Sequence, residues 1–327
     1  MELKDSKVLV IGGAGFIGSF VVAELLKHDV AEVVVYDNFA RGQRDYLTEQ
    51  LQDSRCHIFP IGGDIREIDI LNKAMEGKDY VISLAAMWLL HCKDYPRTAF
   101  AVNIAGTFNV LEACVKNNIK KLIWSSSASV YGDAVELPMT EEHPFNNKNF
   151  YGASKIAGEA MATAFNDRYG LQVIGLRYMN VYGPHQDQTA AYTGVVPIML
   201  NKIEANEPPV INGDGSQAYD FIYVEDVARC NVAALTSDQE FGMYNVGTEV
   251  QTSIKELCDT ILDLKQSDLE VIYKPYSADD ARALVQNRIG SKVKAEKELG
   301  FTFKYDLREG LGKLIDWRIE TGLDKRK

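Results

Sequence analysis

The sequence predicts an α/β protein with a doubly wound parallel sheet and a smaller α/β domain towards its C-terminal end. Strand-like and helix-like segments alternate along the first 180 of its 327 residues, which is the pattern of such a sheet. Two strand-like segments, residues 8–11 and 33–35, are continuously apolar, as expected for strands buried on both faces. Beyond residue 180 the pattern loosens into short strands, turns and late helices.

Each element follows from this alternation. Strands are predicted over residues 7–12, 32–37, 57–62, 80–85, 122–126 and 172–177. Helices are predicted over residues 16–27, 68–75, 96–117 and 151–169, and late helices over 254–264, 291–299 and 307–321. Ligands of an open parallel sheet bind beyond the carboxyl ends of its strands. Glycines, carboxylates and hydroxyls follow those ends here, so we expect the functional site in that crevice.

Composition and charge exclude several classes of protein. Lys and Arg number 35 against 46 Asp and Glu, a net charge of −11, whereas general nucleic-acid or anionic-membrane binding requires a basic surface. No apolar run reaches the ~18 uninterrupted residues of a membrane span. The five cysteines form no CxxC pair, which indicates neither a disulfide framework nor a zinc site. We expect a cytoplasmic protein with reduced thiols, no metal, and no nucleic-acid or membrane partner.

The segment from Gly12 to Gly18, G-G-A-G-F-I-G, predicts a dinucleotide site where the first strand meets the first helix. Glycine permits a tight turn and close approach of the backbone to a pyrophosphate at the helix N-terminus. Asp37 follows Gly18 by 19 residues, the spacing expected of an acid that binds the adenosine ribose. Its charge favours NAD over NADP, although Arg41 keeps NADP open. A plain glycine turn with a solvated Asp37 is the alternative.

Tyr151 and Lys155 form the candidate catalytic pair. A spacing of four residues puts both side chains on one face of a helix. A tyrosine base at neutral pH needs about 4 kcal/mol of stabilisation of its anion. An ammonium ~4 Å away supplies about that much at an effective dielectric of ~20, and an oxidised nicotinamide would add to it. The hydroxyl run from Ser125 to Ser127 ends a strand 24 residues before Tyr151. Alone, the pair would be a surface pair and the serines a loop.

Together with three further motifs, these segments resemble the extended short-chain dehydrogenase/reductase superfamily, and within it the nucleotide-sugar epimerase/dehydratase family. The further motifs are N-I-A-G-T-F-N-V-L-E at residues 103–112, L-R-Y-M-N-V-Y-G-P at 176–184 and G-D-G-S-Q-A-Y-D-F-I-Y-V-E-D-V-A at 213–228. The resemblance implies a Rossmann-type NAD-binding domain over residues 1–180, to which the chain returns at about 221–247. It implies a nucleotide-sugar-binding domain over residues 181–327.

The resemblance also implies roles for individual residues. Tyr151 is implied as the base, Lys155 as its electrostatic partner and ribose ligand, and Ser127 as the group that binds the reacting sugar oxygen. The implied cofactor site comprises Gly12, Gly15, Phe16, Ile17, Gly18, Asp37, Asn38, Asp64, Ile65, Leu84, Ala85, Ala86, Asn103, Ser125, Tyr151, Lys155 and Tyr178. The implied substrate site comprises Trp88, Ser127, Asn180 on the diphosphate side, Val196 and Tyr219.

The residues after Ser127 bear on the reaction. Relatives that dehydrate or decarboxylate sugars have an acid there, whereas this chain has Ala128 and Ser129. Elimination is hard to catalyse without that acid. The pattern resembles UDP-glucose 4-epimerases, which implies epimerisation of a UDP-linked sugar at C4 through a 4-keto intermediate, with NAD regenerated in place. A dehydratase, 4-oxidase or ketoreductase of the same substrates and a non-catalytic NAD-binding sensor are the alternatives.

The sequence departs from the family pattern near the expected substrate site. Tyr219 stands where the family has an arginine that binds the diphosphate, and the later Arg-Pro-Gly-Asp element is missing. We expect Arg282 or Arg288 to take over that contact, since buried phosphate charge requires a partner and a guanidinium binds phosphate through two donors. The alternative is that both are surface arginines. Trp88, in an unusually apolar segment, either lines the sugar pocket or only packs.

A homodimer is implied through the predicted helices at 96–117 and 151–169. The second of these helices carries a stripe of mostly small residues that permits close helix approach: Ala157, Ala160, Ala164 and Phe165. The alternative is that this stripe packs on the sheet.

Overall fold

A parallel sheet of seven strands organises the computed structural model, which describes residues 3–187, 194–276 and 285–324. Its neighbouring strands are all parallel. In chain order the strands of the described residues are β1 Lys7–Ile11, β2 Glu32–Tyr36, β3 Cys56–Ile58, β4 Tyr80–Ser83, β5 Lys121–Ser127, β6 Val173–Tyr178, β7 Asn180–Tyr182, β8 Val210–Asn212, β9 Ala218–Tyr219, β10 Phe221–Tyr223, β11 Phe241–Val246, β12 Thr252–Ser253, β13 Ile272–Lys274 and β14 Asn287–Arg288.

Helices cover both faces of this sheet. They are α1 Phe16–Leu26, α2 Ile68–Met75, α3 Leu89–Asp94, α4 Pro96–Ala99, a π-helix Phe100–Gly106, α5 Thr107–Lys116, α6 Phe150–Tyr169, α7 Val195–Glu204, α8 Val224–Thr236, α9 Ile254–Leu264, α10 Val293–Leu299 and α11 Leu307–Glu320. On one face α1 packs against α8, and on the other α5 packs against α2 and α6. The predicted doubly wound, Rossmann-type fold is therefore confirmed.

The strand order across the sheet is β11-β6-β5-β4-β1-β2-β3. The chain runs outwards from β1 to β3 on one side and from β4 to β11 on the other, so the direction reverses between β1 and β4. Such a reversal leaves a crevice at the carboxyl ends of the two strands, where this fold binds ligands.

Alternation along β1 explains why its sequence is continuously apolar. Val8 and Val10 belong to the apolar cluster on the face of α1 and α8, whereas Leu9 and Ile11 belong to the cluster on the opposite face. All four are fully buried, and each such side chain contributes about 1.5–3 kcal/mol relative to exposure. Neither face of the strand tolerates a polar residue.

A smaller layer stands beside the carboxyl end of the sheet. Its three short sheets are β10-β7, β12-β9-β14 and β13-β8, and its core lies among α7, α9 and α11. Val196 is buried in that core with Met199 and Leu200. After β10 the chain enters α8 and then β11, which pairs with β6 in the large sheet.

Two predicted elements differ from the structure. The helix expected over residues 96–117 is present as the run Pro96–Lys116, but its middle, Phe100–Gly106, is π-helical, which the sequence did not predict. The strand expected over 57–62 ends at Ile58, since Pro60 and the left-handed Gly62 cannot continue it. Among the described residues, the run Pro96–Lys116 has the length and hydropathy of a membrane span, but it packs against α2 and α6 as in a soluble protein.

Candidate functional site

The glycine turn lies at the reversal point between β1 and β4. Gly12 has a φ of +78°, and a Cβ there would lie 2.8 Å from the backbone nitrogen of Ala85. A Cβ on Gly18 would lie 2.1 Å from the carbonyl oxygen of Gly12. Gly15 precedes the first turn of α1, and no side chain caps that turn. The free N–H groups of a helix N-terminus therefore face a surface that only glycine can form, as a pyrophosphate requires.

Asp37, directly after β2, lies against this glycine turn. Its Oδ2 accepts a hydrogen bond from the Ala14 N–H at 2.9 Å, and its Oδ1 accepts one from the Phe39 N–H at 2.8 Å. Burial raises the pKa of this carboxyl, although both hydrogen bonds oppose the rise. The Arg41 guanidinium pairs with Asp187 at 3.1 Å and lies 5.4 Å from the centroid of the Trp88 ring. Arg41 is thus engaged elsewhere, and the site favours a ribose hydroxyl over a 2′-phosphate.

A cavity of about 590 Å³ continues from Asp37 past Asn38 to Asp64. Asp64 accepts a forked hydrogen bond from Arg66, which lowers the pKa of its carboxyl. Gly63 approaches so closely that a Cβ would lie 2.0 Å from the Asp37 carbonyl oxygen. The cavity and the glycine turn together fit the adenosine and pyrophosphate of a dinucleotide.

The remaining cofactor candidates belong to the elements around this crevice. Phe16 and Ile17 lie in the first turn of α1, Ile65 follows Asp64, Leu84 and Ala86 follow β4, Ser125 lies in β5, and Tyr178 ends β6. The Tyr178 hydroxyl is buried and donates to Asn231 Oδ1 at 3.0 Å.

The structure brings Ser127, Tyr151 and Lys155 together. Ser127 ends β5, its side chain accepts from the Ser129 N–H, and it is a hydrogen-bond partner of the Tyr151 hydroxyl. Lys155 lies one turn along α6 with its Nζ 5.6 Å from the centroid of the Tyr151 ring. Asn149 caps the helix at Gly152 N, which fixes the first turn that carries Tyr151. The three predicted groups thus meet at the carboxyl end of β5.

Burial dominates the pKa values of this pair. It raises the pKa of Tyr151 to about 12, although the hydrogen bond to Ser127 and the charge of Arg288 oppose the rise. It lowers the pKa of Lys155 to about 8, against the opposing influence of Cys92 and Glu159. In the chain without ligands the pKa of Tyr151 therefore stays above its ordinary value, although Lys155 lies close to its ring. The low dielectric that strengthens their interaction also penalises both charges.

Lys155 is held by the strand beneath it. Its Nζ donates to the Ser125 carbonyl oxygen at 2.6 Å and lies 4.9 Å from the Trp124 ring centroid. The lysine is 3% exposed, so its side chain has few alternative positions.

Asn103 acts through the backbone after β4. Its Oδ1 accepts from the Met87 N–H at 2.6 Å, and its Nδ2 donates to the Met87 carbonyl oxygen at 3.0 Å. The same Nδ2 donates to Ser154 Oγ at 3.1 Å, on α6. The π-helical turn carries this asparagine, and such turns are frequent at functional sites. Asn103 therefore joins the segment after Ala86 to the helix that carries Tyr151 and Lys155.

A buried ion pair that the sequence did not reveal lies behind the serines. Arg177 donates to both carboxylate oxygens of Glu159, at 2.9 and 2.7 Å, and the Ser126 hydroxyl donates to the same carboxylate at 2.5 Å. Arg177 also donates to the Tyr131 hydroxyl at 2.7 Å. These bonds lock α6 to β5 and β6, and thereby set the position of Tyr151 relative to Ser127.

The predicted substrate residues converge from three segments. Tyr219 in β9 lies directly beside Arg288 in β14, in parallel register. The Asn180 side chain donates to the carbonyl oxygen of Asp220 at 3.2 Å. Burial lowers the pKa of Arg288, and Tyr151 is among the groups that act on it. Arg282 lies outside the described residues, so Arg288 is the candidate that the structure places in the crevice.

Buried polar atoms without a partner add Gln217 and Tyr276 as site candidates, which the sequence did not signal. The Arg288 Nε, the Gln217 Oε1 and the Tyr276 hydroxyl are buried without a hydrogen-bond partner in the described part of the chain. A Cβ on Gly213 would lie 2.4 Å from the Tyr276 ring, which places that ring against the turn before Gln217. Buried orphans are costly unless a ligand satisfies them. No cluster of three metal-ligating side chains occurs among the residues described.

Comparisons with known proteins agree with this geometry. The sequence model of the NAD dependent epimerase/dehydratase family matches residues 8–247. The putative UDP-glucose 4-epimerase of Methanocaldococcus jannaschii is 35% identical, over 95% of this chain and 97% of its own. A UDP-N-acetylglucosamine 4-epimerase of Methanobrevibacter ruminantium, solved with UDP-N-acetylmuramic acid, is 33% identical with a TM-score of 0.90, over 97% of this chain and 99% of its own. A UDP-glucose 4-epimerase of Thermotoga maritima, solved with UDP-glucose, is 31% identical with a TM-score of 0.88, over 96% and 99%.

Proposed function

This chain belongs to the NAD-dependent epimerase/dehydratase family, and from that premise we propose that it is a UDP-sugar 4-epimerase. Its similarity to 4-epimerases over almost the full length of both chains supports this reaction. The glycine turn, Asp37 and the cavity at Asp64 are the residues that would hold NAD. When bound there, NAD⁺ would supply a reversible hydride acceptor for C4 of the sugar.

The chain's own residues manage the proton and the sugar. Tyr151 takes the proton of the C4 hydroxyl and later gives it back, which requires the close approach that α6 and β5 provide. Ser127 holds the same oxygen through its hydroxyl. Lys155, fixed on the Ser125 carbonyl, stabilises the tyrosinate while it lasts. Net oxidation and net proton transfer are zero over one turnover, so the cofactor is regenerated in place.

The residues around Tyr151 favour epimerisation over dehydration. The side chains that act on its pKa are Ser127, Cys92 and Arg288, and the two positions after Ser127 are the buried Ala128 and Ser129. A dehydratase requires a further acid beside the sugar to remove a hydroxyl or a carbon-bound proton. Among the described residues next to Ser127 and Tyr151, neither Ala128 nor Ser129 is such an acid, which supports a 4-epimerase.

Arg288 is the proposed ligand of the substrate diphosphate. Its buried Nε lacks a partner in the described part of the chain, and its charge acts on Tyr151. A buried guanidinium N–H without an acceptor is costly unless a ligand satisfies it, and phosphate suits the fork of donors of an arginine. Asn180 and Tyr219 would complete the same end of the substrate.

The assembly and location follow as parts of the proposal. Exposed aromatic side chains on the helical run Pro96–Lys116 and on α6 support a homodimer through these helices: Phe100, Phe108, Phe150 and Tyr169. Of the predicted stripe, Ala160 and Ala164 are exposed and support a helix-to-helix contact, whereas Phe165 is buried in the core on the sheet, so the expectation that all four residues serve the interface is wrong for Phe165. All five cysteines are free and buried, in keeping with a cytoplasmic protein. The proposed domains are residues 1–180, with 221–247 returning to them, and 181–327.

Products formed in deuterated water test the reaction class. The purified protein is incubated with UDP-glucose, UDP-N-acetylglucosamine, UDP-glucuronate and dTDP-glucose, and the products are analysed by mass spectrometry and NMR. The proposal predicts a C4 epimer of unchanged mass with no carbon-bound deuterium. Loss of water, loss of carbon dioxide, deuterium on carbon, or stoichiometric release of NADH would contradict it.

A further inference from the structure

Asp220 lies at the junction of all three segments that carry the substrate residues. It follows β9 and is fully buried. Its backbone N–H donates to the Arg288 carbonyl oxygen at 3.0 Å, and its carbonyl oxygen accepts from the Asn180 N–H at 2.9 Å. Tyr219 is its neighbour in the chain. No single strand holds Asn180, Tyr219 and Arg288, so their spacing depends on this junction.

The Asp220 carboxylate is saturated by protein donors. Oδ1 accepts from the Thr248 N–H and from its hydroxyl, both at 2.8 Å, and Oδ2 accepts from the Glu249 N–H at 3.0 Å. The Gly290 N–H is a further donor. These donors come from the segment after β11 and from the residues directly after β14. With its acceptor positions occupied and no exposed surface, this carboxylate holds the scaffold and does not contact a ligand.

The strand that carries Arg288 is anchored at both ends. Asp133 Oδ1 accepts from the Gln286 N–H at 2.9 Å and from the Asn287 N–H at 3.3 Å, just before Arg288. The Asp220 carboxylate binds Gly290, just after it. Asp133 follows the serine motif, so its hydrogen bonds tie β14 to the side of the crevice that carries Ser127. Asp220 ties β14 to Asn180.

We propose that Asp220 is a positioning residue for the substrate diphosphate, which fixes Arg288 and Asn180 at the separation that the ligand requires. This inference rests on the proposed function, because it assumes a diphosphate at Arg288. It predicts that the Asp220 carboxylate affects nucleotide affinity without touching the nucleotide and without affecting the cofactor.

The test is Asp220→Asn, measured in the holoenzyme by calorimetric titration with UDP. The change conserves shape, but its amide group faces the N–H donors of Glu249 or Thr248 instead of accepting from them. We expect Kd for UDP to rise at least tenfold and KM for the UDP-sugar to rise in parallel. We expect kcat at saturation and the content of bound NAD(H) to stay within about twofold of the parent protein.

Asp226→Asn is the matched control. Asp226 is also fully buried and accepts from two backbone donors, the N–H groups of Lys304 and Tyr305, and from the Arg229 side chain. These partners lie in α8 and in the segment before α11, which carry none of the predicted substrate residues. Both substitutions should lower the melting temperature, whereas only Asp220→Asn should weaken UDP binding. Equal effects of the two on UDP affinity would overturn the proposal, because Asp220 would then act through general stability.

A double-mutant cycle tests whether Asp220 acts through Arg288. If it does, Asp220→Asn should weaken UDP binding much less in an Arg288→Ala background than in the parent protein, and full additivity would overturn the proposal.

Thr248→Val removes one hydroxyl donor and gives a milder form of the test, with an expected threefold loss of UDP affinity, should Asp220→Asn fail to fold. Parallel titrations with dTDP, CDP and GDP separate the two claims. Failure of the parent protein to bind any of these nucleotides would overturn the proposed function as well, whereas unchanged UDP affinity in the variants would overturn only this inference.

Discussion

Tyr151 and Lys155 are both buried, and burial moves their pKa values towards each other, to about 12 and about 8. Tyr151 is therefore neutral at rest in the chain on its own. Its Ser127 partner and the charge of Arg288 favour the anion, but they do not outweigh desolvation. The proposed base role of Tyr151 therefore requires that the ligands entering the crevice lower its pKa, since Lys155 alone does not.

Replacing Tyr151 by phenylalanine tests its role directly. We expect Tyr151→Phe to lower kcat by about 10²–10⁴-fold, the range for one general acid–base group, while UDP affinity stays nearly intact. Lys155→Ala should in addition reduce the content of bound NAD(H). Tyr169→Phe, on the exposed end of the same helix, is the control and should keep full activity. Substantial turnover by Tyr151→Phe in steady-state assays would remove Tyr151 from the mechanism.

His185 gives a stability prediction that depends on pH. It stacks on Tyr46 with centroids 4.2 Å apart and its Nδ1 bonds Ser19 at 2.8 Å, and burial lowers its pKa to about 4. The unfolded chain, with a histidine pKa of about 6.5, takes up the proton first as pH falls. The neutral ring therefore contributes stability fully above about pH 6.5, and this contribution is lost as pH falls towards about 4.

Scanning calorimetry at about pH 7 and about pH 5 measures this effect. The melting temperature of the parent protein should fall more between these pH values than that of His185→Gln. His57→Gln, at an exposed position, should behave like the parent. The same pH dependence in all three proteins would show that His185 does not make this contribution.

The proximity of the three candidate catalytic residues could be predicted from the sequence because it depends on local spacing. Tyr151 and Lys155 share a helix turn, and Ser127 ends the neighbouring strand. Asn103 shows the limit: the resemblance placed it near the site, but its hold on Met87 depends on a π-helical turn that no residue pattern announced. For the diphosphate contact the sequence left two candidates, Arg282 and Arg288. The position of Arg288 beside Tyr219 depends on a pairing of short strands 69 residues apart, and such a pairing leaves no periodic signal in the sequence.

At the scale of the element, the turn between β1 and α1 is tightly constrained. A Cβ on Gly18 would meet the Gly12 carbonyl oxygen at 2.1 Å, and backbone atoms cannot move aside as a flexible side chain can. A larger residue at position 18 must therefore push α1 away from the turn. The first helix turn and the pyrophosphate site would be displaced together.

Gly18→Ala is expected to lower the melting temperature and to abolish retention of NAD(H) during purification. Gly312→Ala is the control, since Gly312 lies in α11 with open space where its Cβ would be. That substitution should stabilise the protein by about 0.4–1 kcal/mol and leave the cofactor bound. Denaturing each protein and assaying the supernatant for NAD(H) and NADP(H) measures which cofactor each protein retains. Normal NAD(H) content in Gly18→Ala, or NADP(H) in the parent protein, would contradict the cofactor site described.

At the scale of the whole molecule, the proposed homodimer rests on exposed aromatic and small residues of α6 and of the run Pro96–Lys116. Tyr169 and Phe150 are 58% and 59% exposed, and Ala160 lies between them on α6. Phe150 and Tyr169 stand at opposite ends of this 20-residue helix, so the dimer proposal rests on the exposed aromatic side chains of both helical runs together, which a second copy would cover. Light scattering at micromolar concentration should therefore give the mass of two chains.

A charge placed in this surface should separate the subunits. Ala160→Glu buries an unpaired carboxylate in the proposed interface, which is costly, so the variant should have the mass of one chain while keeping its helical circular dichroism. Val293→Glu, at a position 60% exposed on α10, should leave the dimer intact. A parent protein with the mass of one chain would refute the dimer.

The central claim is that a hydride leaves C4 of the sugar and returns to C4 of the same molecule. UDP-glucose deuterated at C4 tests it most directly, with the protein in ordinary water and the product analysed by NMR and mass spectrometry. The account predicts UDP-galactose that keeps its deuterium at C4, with no label in solvent or in free cofactor. Deuterium found at C6, deuterium carried away on released cofactor, or an epimer that has lost its label would contradict the account.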